Sequence, residues 1–152
     1  MPVQKLKKFL EDNGVKYVSV VHSPTYTAQE VAARVHIRGK QLAKTVIVKT
    51  DGKMAMAVLP ASRQIDFDYM RKEIGAPKVE LAKEEEFKDL FPGCEVCAMP
   101  PFGNLYGMEV FTDQSLNEDE EIAFSAGTHT ELIKIPYAEY KRLVQPREIR
   151  IT

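Results

Sequence analysis

The 152-residue chain has no tryptophan, two cysteines and three histidines. No apolar run approaches the ~20 residues that span a bilayer. Cys94 and Cys97 form a lone C-x-x-C, and the second pair that a four-cysteine zinc site requires is missing. A thioredoxin-type motif opens a helix, whereas Cys94-Glu95-Val96-Cys97-Ala98-Met99 alternates like a strand. The chain also lacks a phosphate-binding P-loop, a dinucleotide fingerprint, a G-x-S-x-G elbow and any cluster at metal-ligand spacing. An excess of charge of one sign is missing too. The formal net charge is −1, which argues against a general nucleic-acid coat protein but permits a local basic patch. Met1-Pro2-Val3-Gln4-Lys5 leads into an amphipathic pattern rather than a signal-peptide core, so a cytoplasmic location is expected. With no repeat, linker or low-complexity stretch, the expectation is a single domain over residues 1–152.

What the chain does have is a run rich in β-branched residues, Lys44-Thr45-Val46-Ile47-Val48-Lys49-Thr50. Asp51-Gly52 closes it, and Lys53 to Pro60 answers it, which reads as a β-hairpin. Alternation puts Lys44, Val46 and Val48 on one face. If that face is core, the Lys44 ammonium sits where apolar surface meets a strand end and needs an anionic or carbonyl partner. Otherwise Lys44 ends the strand and reaches into solvent.

Around this hairpin, Val3, Leu6, Phe9 and Leu10 recur at helical spacing up to Gly14. A strand follows over Tyr17 to His22, where His22 is either a capping residue or a site residue. Thr27-Ala28-Gln29-Glu30 fits a capping box for a helix to about His36. The cations near its end, Arg34, Arg38 and Lys40, suit either the helix dipole or phosphates. Asp66 caps a helix with Phe67, Met70 and Ile74 on one face and Gly75 at its end. Val79 and Leu81 mark a short strand, and Glu84 to Glu86 a solvated helical face. Pro100-Pro101-Phe102-Gly103 is a loop stiffened by two prolines, in which Gly103 permits φ values closed to other residues; it is able to aim backbone N–H groups, or is a plain connection. Met108 to Thr112 reads as a strand, and Glu118 to Glu121 as a solvated acidic bend. Ser125-Ala126-Gly127-Thr128-His129-Thr130 is a small-residue loop between two strands. Its Ser125 and His129 invite a nucleophile reading, but spacing shows no Ser–His hydrogen bond. Pro136 opens a last helix that packs back through Tyr137, Tyr140, Leu143 and Val144. Short strands interleaved with about five helices point to α+β, or mixed α/β.

Together, Ala43-Lys44-Thr45-Val46-Ile47-Val48, Pro100-Pro101-Phe102-Gly103 and Ser125-Ala126-Gly127-Thr128-His129-Thr130 resemble the YbaK/ProX family. These are free-standing aminoacyl-tRNA deacylases related to the editing insertion domain of bacterial prolyl-tRNA synthetase. The opening segment His22-Ser23-Pro24-Thr25-Tyr26-Thr27-Ala28-Gln29-Glu30-Val31-Ala32 is similar as well, so the resemblance covers nearly the whole chain. It implies a curved, largely antiparallel, barrel-like sheet surrounded by helices. It also implies hydrolysis, without metal or cofactor, of the ester joining a wrong amino acid to tRNA. Lys44, Gly103 and His129 are the implied catalytic residues. Pro101, Phe102, Ser125, Gly127, Thr128, His22, Tyr26 and Cys97 are the implied substrate-binding residues. Cys97 stands where many relatives have glycine, which leaves the aminoacyl specificity open.

The implied partner is the acceptor end of a mischarged tRNA carrying alanine, serine, threonine, cysteine or proline. An aminoacyl-tRNA synthetase is a further partner; DNA and membrane are not, and a monomer is the default. The competing class is a non-catalytic module that binds an aminoacyl or nucleotide end as a regulator or synthetase partner. A third class is a thiol-dependent enzyme using Cys94 and Cys97, although neither has an evident activating base.

Overall fold

A computed structural model describes residues 2–22, 42–95 and 98–152. The predicted helix from Thr27, and with it Tyr26, Arg34, Arg38 and Lys40, lies outside the described residues, as does Cys97.

The chain starts with helix α1 (Pro2–Asp12), whose Val3, Leu6 and Leu10 are buried as the spacing predicts. Strand β1 (Val18–Val21) follows. The hairpin is present as β2 (Ala43–Thr50) and β3 (Lys53–Pro60), paired from Ala43↔Pro60 to Thr50↔Lys53. Asp51 and Gly52 both have positive φ, 51° and 87°, the conformation a two-residue turn needs to match strand twist. Helix α2 (Phe67–Ile74) begins where the Asp66 carboxylate accepts from the Tyr69 N–H at 3.1 Å, and it ends at Gly75 with φ 76°. Then come β4 (Val79–Leu81), the short helix α3 (Glu84–Phe87), β5 (Glu109–Asp113), β6 (Glu121–Ser125), β7 (Glu131–Pro136), α4 (Tyr137–Val144) and β8 (Arg147–Ile149).

Among the described residues the strands form two sheets, in the orders β1-β7-β6 and β4-β2-β3-β5-β8. Pairing is largely antiparallel, but β5 runs parallel to β3 and β8 parallel to β5. The barrel-like sheet that the resemblance implies is therefore met only in part. Among the described residues an isolated parallel bridge, Leu42↔Ala123, links the two sheets, and no closure of a barrel is shown.

The hairpin is core on both faces. Ala43, Ile47, Met56 and Val58 join α1, β6, β7 and α4 in one apolar cluster. Val48, Ala55, Ala57 and Leu59 join Met70 of α2, Val79 and Ile149 in a second, with Val46 packed against it. A strand buried on both sides needs no polar alternation, and β3 reads as an unbroken apolar run for that reason.

Two sequence expectations are corrected, and one element is new. Residues 94–95 and 98–100 are irregular rather than a strand. Their backbone groups bond to a turn and to a later loop instead of a ladder, and Pro100 and Pro101 have no N–H to offer one. The acidic bend is not wholly solvated, because Asp119 is buried. Strand β8 was not foreseen at all. It is three residues long, and the buried Asp113 carboxylate fixes the chain just beyond it, accepting from the Ile151 N–H at 2.7 Å and the Thr152 N–H at 3.3 Å.

Candidate active site

The late loop, residues 126–130, is built from local chemistry. Gly127 has φ 104°, a region closed to side-chain-bearing residues at ordinary cost. The Thr128 hydroxyl accepts from the Thr130 N–H at 3.4 Å and lies 3.2 Å from the Thr130 hydroxyl, a side-chain-closed turn. Two strands aim this loop, since Ser125 pairs with Leu132 at the end of β6. His22 joins them: its N–H donates to the Thr130 carbonyl at 2.7 Å, just past the end of β1.

The loop is also tied to the segment that leads into Pro100-Pro101. Glu95 N–H donates to the Gly127 carbonyl at 2.8 Å, and Gly127 N–H donates to the Ala98 carbonyl at 2.8 Å. The Glu95 carboxylate accepts from the His129 N–H at 2.9 Å and lies 3.8 Å from the imidazole Nε2. The fold therefore brings His22, Gly127, Thr128 and His129 to one place. His129 is exposed there, and His22, Ser125 and Thr128 are half-buried.

Lys44 reaches the same neighbourhood by register. The Leu42↔Ala123 bridge is parallel, so Lys44 and Ser125 each lie two residues beyond it in the same direction. The condition set by the sequence is met, because the Val46/Val48 face is core. Lys44 is half-buried opposite Leu59, which is fully buried. Among the described residues the ion pairs of β2 belong to its other lysine: Lys49 lies 2.8 Å from Glu86 and 3.5 Å from Glu80.

Phe102 and Gly103 take a different place. The Phe102 ring is wholly buried, with ring centroids 6.1 Å from Phe9, 5.4 Å from Phe124 and 5.8 Å from Tyr140. Phe102, expected to bind substrate, is therefore a core residue, with no exposed surface in side chain or backbone. Gly103 is not among the glycines of positive φ. It is required for closeness instead: a Cβ there would lie 2.5 Å from Val110 Cγ2 and 2.7 Å from the Met108 carbonyl oxygen. Its own carbonyl accepts from the Tyr106 and Met108 N–H groups, both at 2.9 Å. Pro101 is buried beside them.

Burial pushes the Cys94 thiol up from its ordinary value, against smaller opposing effects of the Tyr106 hydroxyl and Lys5. A raised thiol is a poor thiolate, which removes the support for a thiol nucleophile at this position. Among the described residues no group of three or more His, Cys, Asp or Glu could hold a metal ion. A separate cavity of about 400 Å³ is lined by Asn117, Glu118, Asp119, Glu120, Tyr137, Ala138 and Lys141. It lies by the start of β6, at the opposite end of that strand from the late loop. Sequence reasoning missed Glu95, whose only signal was its position inside the C-x-x-C.

A model of the family described as "Aminoacyl-tRNA editing domain" matches residues 22–143. The chain is 30% identical over 151 residues to the Multifunctional Ser/Thr-tRNA deacylase ProXp-y of Escherichia coli (strain K12), covering 94% of this chain and 88% of that protein. It is 28% identical over 106 residues to the Proline--tRNA ligase of Bacillus mycoides (strain KBAB4), covering 69% of this chain but 19% of the ligase. Among solved structures, a candidate trans-editing enzyme for prolyl tRNA synthetase superposes with a TM-score of 0.84 at 20% identity, covering 99% of this chain and 96% of that one. The expected α+β fold is thereby matched, and with the family match spanning the hairpin and both motif loops, the chain belongs to the aminoacyl-tRNA editing domain family, that of YbaK and ProX.

Proposed function

We propose that this protein is a trans-acting aminoacyl-tRNA deacylase that hydrolyses the ester of a mischarged tRNA carrying a small amino acid. The observation that carries the reading is the gathering of the family motifs: a late loop hydrogen-bonded to the segment before Pro100, with Lys44 abreast of Ser125 beside it. The relationship to a Ser/Thr-tRNA deacylase over nearly its whole length supports the same class of reaction.

The chemistry asks little of the protein. Water attacks the ester carbonyl carbon, the bond to the ribose oxygen of the terminal adenosine breaks, and that oxygen takes a proton. Donors placed where the oxyanion develops lower the barrier most. Lys44 supplies a charge-assisted hydrogen bond to the carbonyl or the terminal phosphate. Backbone N–H groups of the Pro101–Gly103 loop are further donors, and His129 orients water or shapes the pocket. His22, Tyr26, Ser125, Gly127, Thr128 and Cys97 contact the aminoacyl end. The protein works without a resident metal or cofactor, as a cytoplasmic monomer that grips mainly the acceptor end.

Amino acid release from a panel of tRNAs charged with alanine, serine, threonine, cysteine or proline tests the reading, run with and without chelator. Wild type turns over one or two of these in either condition, and Lys44→Ala, folded, does not. Binding of charged tRNA with no turnover anywhere in the panel would instead establish a non-catalytic binding module.

A further inference from the structure

We infer that Glu95 is a positioning residue of the deacylation site, holding His129 and the late loop against the segment that precedes Pro100. This rests on the deacylase reading above and names a residue that the motifs do not contain.

Glu95 meets the late loop twice. Its N–H donates to the Gly127 carbonyl at 2.8 Å, and its carboxylate accepts from the His129 N–H at 2.9 Å. Ala98 completes the clamp by accepting from the Gly127 N–H at 2.8 Å. Gly127 is thus held through both its N–H and its carbonyl by residues three apart in sequence. An irregular loop needs such partners, because its backbone groups have no ladder to satisfy them.

The side chain makes the more informative contact. A carboxylate bonding a backbone N–H is a charge-assisted hydrogen bond, stronger than the neutral bonds around it. The second contact, 3.8 Å to the His129 imidazole, joins groups whose side chains are 48% and 51% exposed, so solvent screens it. Glu95 therefore acts mainly by fixing the His129 backbone, and the imidazole follows from there. The C-x-x-C stretch gains a purpose that involves neither thiol: its second residue is the anchor.

Displacing a reacting or water-orienting group by ~1 Å costs up to about 100-fold in rate. Kinetics of Glu95→Ala and Glu95→Gln on a tRNA substrate that wild type deacylates, with hydrogen exchange at the His129 amide, provide the test. Glu95→Ala is expected to lower kcat by about 10-fold to 100-fold with KM changed less than about threefold. Its His129 amide exchanges faster while β2 and β3 remain protected. Glu95→Gln keeps an acceptor for that N–H and recovers most of kcat and protection. Wild-type kcat in Glu95→Ala beside faster His129 exchange would overturn the inference and leave the deacylase reading standing. Loss of protection throughout β2 and β3 in both variants would also overturn it, by showing a general structural role. No turnover by wild type on any charged tRNA would sink the deacylase reading and the positioning role with it. Faster His129 amide exchange in Glu95→Ala than in wild type would still report the clamp, so the two failures are told apart.

Discussion

The two ends of β2 carry a lysine each, and they differ. Lys49, near the Asp51-Gly52 turn, is paired with Glu86 at 2.8 Å and Glu80 at 3.5 Å. Lys44, five residues earlier, is half-buried opposite Leu59 and lies where the sheet bridges to β6. One end spends its charge on neighbouring carboxylates of the same fold. At the other, the cation is positioned by a strand buried on both faces, so the scaffold there is stiff. A stiff strand holding a charge beside a loop is what a binding site needs.

The largest expected effect is at the bridged end. Lys44→Ala should lower kcat/KM for aminoacyl ester hydrolysis by about 100-fold to 1,000-fold, or roughly 3–4 kcal/mol. Its Tm should stay near wild type. If the rate survives in a folded variant, the contrast between the two lysines has no catalytic meaning.

Next comes Gly103→Ala. The new methyl group would meet Val110 Cγ2 at 2.5 Å and the Met108 carbonyl at 2.7 Å, and the latter is backbone. Overpacking of this kind costs about 1–3 kcal/mol, read as a lower midpoint in urea unfolding. An unchanged midpoint would mean that the loop shifts freely and is not the stiff element argued here.

At the turn end, Gly52→Ala forces a side chain into φ 87°. Strain of about 1–3 kcal/mol is expected, with catalytic constants unaltered in the folded fraction. A fall in kcat larger than the fall in folded fraction would show that the two ends are coupled.

The smallest effect is electrostatic. The hydrogen bond from Lys49 holds the Glu86 carboxyl below its ordinary value, helped by the Lys83 N–H and opposed by desolvation. The hydrogen bond to Glu86 correspondingly raises Lys49, against desolvation. A depressed carboxyl contributes stability that is present above its unfolded value and lost as pH falls through the folded one. A raised ammonium contributes stability that is present below its unfolded value and lost as pH rises through the folded one. Glu86→Gln should therefore lower Tm slightly at neutral pH, and the difference from wild type should vanish in acid. A difference that persisted at low pH would assign the effect to packing rather than charge.

Local chemistry made much of this fold legible. The hairpin was readable from Asp51-Gly52 between two β-rich runs, and α2 from Asp66 and Gly75, because caps and turns depend on a few adjacent residues. Helices α1 and α4 followed from apolar spacing, with Tyr137 and Tyr140 buried as expected. The stretch from Cys94 misled for the opposite reason. Alternation shows only that two faces differ, and the partners of its backbone lie in a loop some thirty residues later.

The sequence by itself determined which short segments exist, where they turn, and the motif set that points to an editing domain. Those properties live in neighbouring residues, where torsional preference and periodicity act. The tertiary structure decided that Phe102 belongs to the core, that Gly103 is needed for close approach rather than for positive φ, and that Glu95 grips His129. Each of these depends on contacts between distant segments, set by how two sheets pack around a shared apolar cluster, and no local pattern encodes them.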